Sequence, residues 1–266
     1  MLETTWSEDQ GIPCSFVTLT YSDENLPVGN NLVPKDAQDF FKKLRHKKKI
    51  RYFLVGEYGH DGERTWNPHY HIALFGVGGC LRSDGKFNAQ LPCTCDNCSL
   101  LSATWSMGHV YAGTLTRESA SYIAGYTIKK LTNGKDDKTN EILEGRHQEF
   151  ARMSLKPPIG DLAMKSIAED MVRSGMAEMW EDVPPALWYG TRSLPLDRTM
   201  RRKLRIYLGR DEKAPRSVRD KLANELQTLR ETTETVSPKA ALAKQNEGKI
   251  HRLEKITSHY SRKKKL

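Results

Sequence analysis

Residues 49–76 read KIRYFLVGEYGHDGERTWNPHYHIALFG. Both ends of this segment, 49–59 and 69–76, are rich in β-branched and aromatic side chains, whereas the middle is polar and contains Gly and Pro. Such ends are typical of strands, and such a middle is typical of a connecting loop. The segment therefore predicts two neighbouring strands joined by a turn.

The residues before this segment predict a strand and a helix. Residues 12–21, IPCSFVTLTY, have the composition of a buried strand. Residues 34–49, PKDAQDFFKKLRHKKK, place apolar side chains at helical spacing after Asp36, a candidate cap. A strand, a helix and then a hairpin predict an α+β domain with a largely antiparallel sheet.

The residues after the hairpin predict a short strand over 109–115 and a helix over 116–132 that begins at a Thr or Ser cap. The Cys-containing segment between them, about residues 79–101, is predicted to be an inserted loop. We expect three regions in all: a main domain over residues 1–150, an accessory loop and helix region packed on it over residues 151–205, and a basic helical extension over residues 206–266.

Charge is unevenly distributed in this chain of 266 residues with a net charge of +9. Residues 1–196 hold 22 Lys and Arg against 24 Asp and Glu, whereas residues 197–266 hold 20 against 9. A basic segment beside a near-neutral body indicates a clamp on nucleic acid or on an anionic membrane surface, although a solubilising helical tail is also typical. Since no long apolar run and no basic-then-apolar N-terminus is present, we expect a cytosolic protein without a membrane partner.

A candidate metal site lies in the second strand of the hairpin. His69 and His71 are two residues apart, so in a strand their imidazoles point to the same face. Glu57 matches their face by its parity in the preceding strand and is predicted as the third ligand, with His60 in the loop as a competitor. Two imidazoles and a carboxylate suit Mg²⁺ or Mn²⁺ with open positions for a phosphate, but His-x-His is also typical of surface or packing histidines.

A candidate nucleophile lies in the predicted helix. Tyr122 and Tyr126 are four residues apart and share a helix face, which Lys129 continues, with Lys130 as a second candidate cation. A phenol is a weak nucleophile at neutral pH and needs a polarised phosphate or a nearby cation. Tyrosines at this spacing also commonly pack a helix against a sheet.

Two further clusters are candidates for binding. Cys80, Cys93, Cys95 and Cys98 offer four thiols within 19 residues; a structural zinc site and a surface loop without metal are both compatible with this spacing. Exposed cations are expected to contact DNA phosphates, and the candidates are Arg45, Lys47, Lys48, Lys49 and Lys130.

Three segments in order resemble the HUH endonucleases: FVTLTY, PHYHIALFG and SYIAGYTIKK. The paired tyrosines resemble those of the replication initiators of microviruses and gokushoviruses, which are small single-stranded DNA phages. The phrases FLVGEYG, EFARMSLKPPIG and LPLDRTMRRKLR extend the likeness, which covers roughly residues 15–205.

This resemblance implies a ferredoxin-like or RRM-like sheet with the site on its open face. It implies rolling-circle replication in the cytoplasm of a bacterial host, on single-stranded origin DNA and with a host helicase and polymerase. It further implies that His69 and His71 are metal ligands, that Tyr122 and Tyr126 are nucleophiles forming a 5′-phosphotyrosine, and that Lys129 supports them. A relaxase or transposase of the same superfamily, and a zinc-stabilised nucleic-acid-binding module without catalysis, are the alternatives.

Overall fold

The computed structural model describes residues 1–59, 66–82, 93–130, 143–248 and 251, without the side chains of residues 126–130 and 192. Its helices and strands follow in chain order: α1 (Leu2–Asp9), β1 (Cys14–Tyr21), α2 (Pro34–Arg45), β2 (Arg51–Tyr58), β3 (Pro68–Phe75), α3 (Asp96–Trp105), β4 (Gly108–Thr114), α4 (Arg117–Lys130), β5 (Phe150–Met153), α5 (Asp161–Arg173), β6 (Ala186–Tyr189), β7 (Arg192–Pro195), α6 (Arg198–Tyr207) and α7 (Arg216–Thr233).

The main sheet has five strands in the order β4-β1-β3-β2-β5, and every neighbouring pair is antiparallel. The succession β1-α2-β2-β3-α3-β4 with this strand order is the ferredoxin-like arrangement, to which β5 adds a strand beside β2. The predicted α+β class with an antiparallel ferredoxin-like core is confirmed, and so is the predicted pairing of the two strands in residues 49–76.

One face of the sheet is covered by α2 and α3. Since side chains alternate along a strand, Val17, Leu19 and Tyr21 of β1 all point to this face and are buried. Trp105 at the end of α3 is fully buried among them and donates a hydrogen bond of 2.9 Å from its indole N–H to the carbonyl oxygen of Thr20. α3 begins at Asp96, within the segment predicted as a loop, because its apolar residues gain burial here.

The opposite face is apolar at one end and polar at the other. Val55, Ala73 and Phe75 are buried there against Ile123 of α4 and the nearby Leu115. The helix therefore packs on the apolar end of the face. The polar end of the same strands carries the two histidines.

The chain divides into two compact units, residues 1–167 with 186–195 and residues 168–185 with 196–266. Within the second unit, the carboxylate of Asp182 accepts hydrogen bonds from Arg205 at 2.6 and 2.7 Å and from Arg201 at 3.1 Å. The extension is helical in α7 and over residues 238–248, as predicted. The predicted boundaries at residues 150 and 205 stay predictions. Among the described helices, none has the length and apolarity needed to cross a bilayer.

Gly76, directly after β3, is a position at which we expect a large loss of stability on substitution. Its φ is 101°, and a Cβ there would collide with the backbone carbonyl oxygen of Lys49. Gly76→Ala combines backbone strain with a collision that no rotamer can relieve, so we expect a loss of more than about 2 kcal/mol. Urea unfolding followed by circular dichroism measures it.

Gly11→Ala is the matched control for that substitution. Gly11 also has a positive φ, 63°, but no atom of the described residues lies within 4 Å of the position of its Cβ. This change should cost only about 1 kcal/mol. Equal effects of the two substitutions would contradict the role assigned to the close approach of Lys49.

Candidate metal and tyrosine site

The strand register brings three predicted site residues to one end of the sheet face. His69 lies opposite Glu57 on β2 and opposite Thr20 on β1, and His71 lies opposite Thr18. Residues directly opposite each other in antiparallel strands point to the same face. The two imidazoles and the carboxylate are therefore neighbours because of the backbone pairing.

The three side chains converge on one oxygen atom. Oε1 of Glu57 lies 3.1 Å from Nε2 of His69 and 2.8 Å from Nε2 of His71. Adjacent ligand atoms of an octahedral ion with bonds near 2.1 Å are about 3 Å apart. The observed separations are thus those of a set that could hold one divalent ion. Glu57 is only 4% exposed, so its carboxylate is largely removed from water.

The protonation of His69 strengthens this interpretation. Its Nδ1 lies 2.9 Å from the carbonyl oxygen of Asn67. A carbonyl only accepts, so Nδ1 carries the proton, and in the neutral ring Nε2 presents its lone pair to the Glu57 carboxylate. Two acceptors 3.1 Å apart repel unless a proton or a cation lies between them. The pair is therefore suited to binding a cation.

Two neighbours fix the orientation of His71. Oγ1 of Thr18 lies 3.0 Å from its Nδ1, and the ring of Phe16 stacks on it at 5.7 Å between centroids. A partner on the second ring nitrogen sets the tautomer and the direction of a ligating imidazole. The sequence analysis did not identify Thr18 or Asn67. Thr18 could have been found from the β1–β3 register, and the Asn67 contact is made by backbone alone.

Tyr122 is the described member of the tyrosine pair at this site. Its ring centroid lies 6.5 Å from that of His71, and the residue is 41% exposed. The adjacent Ile123 is fully buried, which anchors this turn of α4 on the sheet. Tyr126 follows one turn later in α4.

Several predicted residues lie outside what the structure describes. The side chains of Tyr126, Lys129 and Lys130 are not among the described ones, although their backbone belongs to α4, and His60 falls in the undescribed segment 60–65. Their predicted roles stay predictions.

The basic cluster of residues 45–49 is exposed but is not brought to the histidines. It precedes β2, whereas Glu57 lies near the other end of that strand. Six residues from Arg51 to Glu57 span about 20 Å of extended chain. The guanidinium of Arg45 lies 5.3 Å from the ring centroid of Tyr52. A phosphate contact by Arg45, Lys47, Lys48 or Lys49 stays a prediction, and it would be made at a distance from the site.

The four predicted cysteines are brought together in a second cluster. Their sulfur atoms all lie within 4.8 Å of one another, and Cys80 and Cys93 are 3.3 Å apart. Burial raises the pKa of the Cys95 thiol, but hydrogen bonds from the backbone N–H groups of Cys98 and Leu81 outweigh it, so the pKa falls to about 6. These four residues are a second group that could hold a metal ion.

Comparison with known proteins places the site within a matched segment. The family model for replication-associated proteins of the ORF2 type matches residues 14–131, which include β1, the histidines and α4. Replication-associated protein VP4 of Bdellovibrio phage phiMH2K is 32% identical over 133 residues. Replication-associated protein ORF2 of Spiroplasma virus 4 is 36% identical over 126 residues. The predicted resemblance to phage replication proteins is confirmed by these matches.

The similarity to these relatives is partial. The two alignments cover 46% and 44% of this chain, and 40% and 38% of the respective relatives. The chain thus spans less than half the length of either curated relative. No solved structure matches the chain.

Proposed function

We propose that this protein initiates rolling-circle replication of a small phage genome by nicking and rejoining single-stranded DNA at the origin. The observation that carries the proposal is the convergence of Glu57, His69 and His71 on one point of the sheet, with Tyr122 next to His71. The similarity of residues 14–131 to phage replication-associated proteins supports a replication task over that of a plasmid relaxase or transposase.

The residues that would hold the catalytic ion are Glu57, His69 and His71. One carboxylate and two neutral imidazoles leave positions open for oxygen ligands, which suits Mg²⁺ or Mn²⁺. When bound, a divalent ion polarises the phosphoryl oxygens and stabilises the charge that develops on them. The protein's own part is to fix the imidazoles, through Thr18 and the carbonyl of Asn67, so that no reorganisation is needed during the reaction.

Tyr122 or Tyr126 then acts as the nucleophile. The phenol oxygen loses its proton and attacks phosphorus, a bond forms between them, and the bond from phosphorus to the 3′-oxygen breaks. The 3′-oxygen takes up a proton and leaves as a free hydroxyl, while the 5′ end stays linked to the protein. One phosphodiester is exchanged for another, so the reverse attack by a 3′-hydroxyl rejoins the strand without an added energy source.

Two tyrosines on one helix provide for a second cut after a full round of synthesis. With one residue holding the 5′ end, the other can attack the regenerated origin, and the released 3′-hydroxyl can then close the circle. Lys129 or Lys130 on the same helix is proposed to neutralise the charge that develops on the phosphate. A host helicase and polymerase, acting in the bacterial cytoplasm, would extend the free 3′ end.

Formation of a covalent adduct with DNA tests this function. The full chain is incubated with Mn²⁺ and with 5′- or 3′-labelled single-stranded DNA carrying the phage origin, and the products are separated on a denaturing gel. We expect adduct only with the label on the 3′ side of the cut, an extendable 3′-hydroxyl on the other product, and no reaction with excess EDTA.

The same experiment distinguishes the second candidate function. Binding of the labelled strand without any adduct, under all divalent ions tried, would favour a nucleic-acid-binding module without catalysis. Adduct that also forms on unrelated single-stranded DNA at the same rate would contradict a role specific to an origin.

A further inference from the structure

The four cysteines form a cluster away from the histidine site, and the proposed reaction makes no use of it. We propose that Cys80, Cys93, Cys95 and Cys98 bind one Zn²⁺ ion as a closed structural site. The ion would fasten the connection between β3 and α3 against the edge strand β4. This proposal does not rest on the proposed function, because a DNA-binding module would need the same support.

The positions of the sulfur atoms fit a tetrahedral thiolate site. Sulfurs bound to zinc at about 2.3 Å are about 3.8 Å apart at the corners of a tetrahedron. The observed sulfur atoms lie within 4.8 Å of one another, with the pair from Cys80 and Cys93 at 3.3 Å. They come from two chain segments, Cys80 from the connection after β3 and the other three from the residues at the start of α3.

Backbone N–H groups around the cluster point at sulfur. The amide of Leu81 lies 3.5 Å from the sulfur of Cys95, and the amide of Cys95 lies 3.5 Å from that of Cys93. Donors directed at sulfur stabilise thiolates, the form that binds zinc. Four thiolates without an ion would repel one another strongly at these separations. The arrangement is therefore suited to a divalent cation.

The cluster joins parts of the fold that share few other connections. The amide of Cys80 donates 2.8 Å to the carbonyl oxygen of Ala112 on β4, the edge strand of the sheet. The side-chain amide of Asn97 donates 2.8 Å to the carbonyl oxygen of Gly79. An ion held by Cys80 and Cys98 would clamp this loop to the first turn of α3, the helix that carries the buried Trp105.

A fifth cysteine provides a matched control. Cys14 lies on β1, outside the cluster, and its thiol is directed at the carbonyl oxygen of Ile12 at 3.3 Å. The full chain, Cys14→Ser and Cys95→Ser are purified under reducing conditions without chelator, and zinc is measured by elemental mass spectrometry. We expect about one zinc per chain in the first two proteins and less than about a tenth in Cys95→Ser.

Cobalt substitution keeps the test independent of whether Cys95→Ser folds. Co²⁺ is added to zinc-depleted His69→Ala/His71→Ala protein, in which the histidine site has lost two ligands. We expect the intense visible bands of tetrahedral cobalt and a sulfur-to-metal charge-transfer band, displaced by one equivalent of Zn²⁺. Zinc removal should also lower the Tm of the full chain and of Cys14→Ser alike.

Two results would overturn the zinc site. One is a purified chain with its cysteines reactive towards a thiol reagent, no bound zinc and no cobalt–thiolate band. The other is a mass lower by four hydrogens, which would identify two disulfides in place of metal. Neither result bears on adduct formation, so failure of this proposal and failure of the DNA-nicking proposal can be told apart.

Discussion

Replacing both Tyr122 and Tyr126 by Phe is expected to abolish the covalent adduct, with a loss of at least about 10³-fold in the rate of strand cleavage. The double change removes both candidate hydroxyl nucleophiles and keeps both rings, so the packing of α4 should persist. Binding of the labelled strand should fall little. A denaturing gel for cleavage and a filter-binding assay for affinity measure the two quantities separately.

The single variants show which tyrosine acts first. Tyr122 is beside His71, so Tyr122→Phe should slow the first cut more than Tyr126→Phe does. If the residues alternate, each single variant still forms adduct but fails to release closed circles. Tyr189→Phe, a partly exposed tyrosine on β6, is the control and should behave as the unchanged protein. Adduct in the double variant would contradict a tyrosine nucleophile at either position.

The central sheet was predictable because its strands obey simple alternation. Val17, Leu19 and Tyr21 alternate with less buried residues, and residues 49–76 contain both strands of a hairpin with the loop between them. By contrast, β5, β6 and β7 are four residues long each. Such segments are too short to establish a period, and they form only because a partner strand is available.

The side chains of the site were predictable in face but not in contact. The parity of Glu57 relative to Val55 indicates its face, and the structure adds that its carboxylate meets both imidazoles. Thr18 is far from His71 in sequence, and only the register of β1 against β3 brings them together. A register between distant strands depends on the packing of the whole core, which no local pattern encodes.

The basic residues 45–49 illustrate a different limit of sequence reasoning. Their charge and exposure were correctly anticipated, but charge alone does not say where in the fold a cluster lies. The direction of β2 places these residues at its start and Glu57 near its end. If they contact DNA, they do so along the path of the strand rather than at the cut phosphate.

Removing one imidazole from the metal site should have the second large effect. In His71→Ala, the Nε2 atom 2.8 Å from Glu57 is lost, and with it one of three protein ligands. We expect the rate of cleavage at low Mn²⁺ to fall at least about 100-fold, with partial recovery at high Mn²⁺ because the ion binds more weakly. Cleavage measured over a series of Mn²⁺ concentrations separates weaker binding from slower chemistry.

Two further variants make this test specific. Thr18→Val keeps the imidazole but removes the hydroxyl 3.0 Å from its Nδ1, so it should weaken Mn²⁺ binding by about 10-fold and recover fully at high Mn²⁺. His109→Ala alters a histidine of the neighbouring strand β4, which pairs with Thr20 and contributes no atom to the ligand set; its Mn²⁺ dependence should be unchanged. Normal cleavage by His71→Ala at low Mn²⁺ would remove the metal from the mechanism, since the remaining imidazole and carboxylate alone offer too few ligands to hold the ion in place.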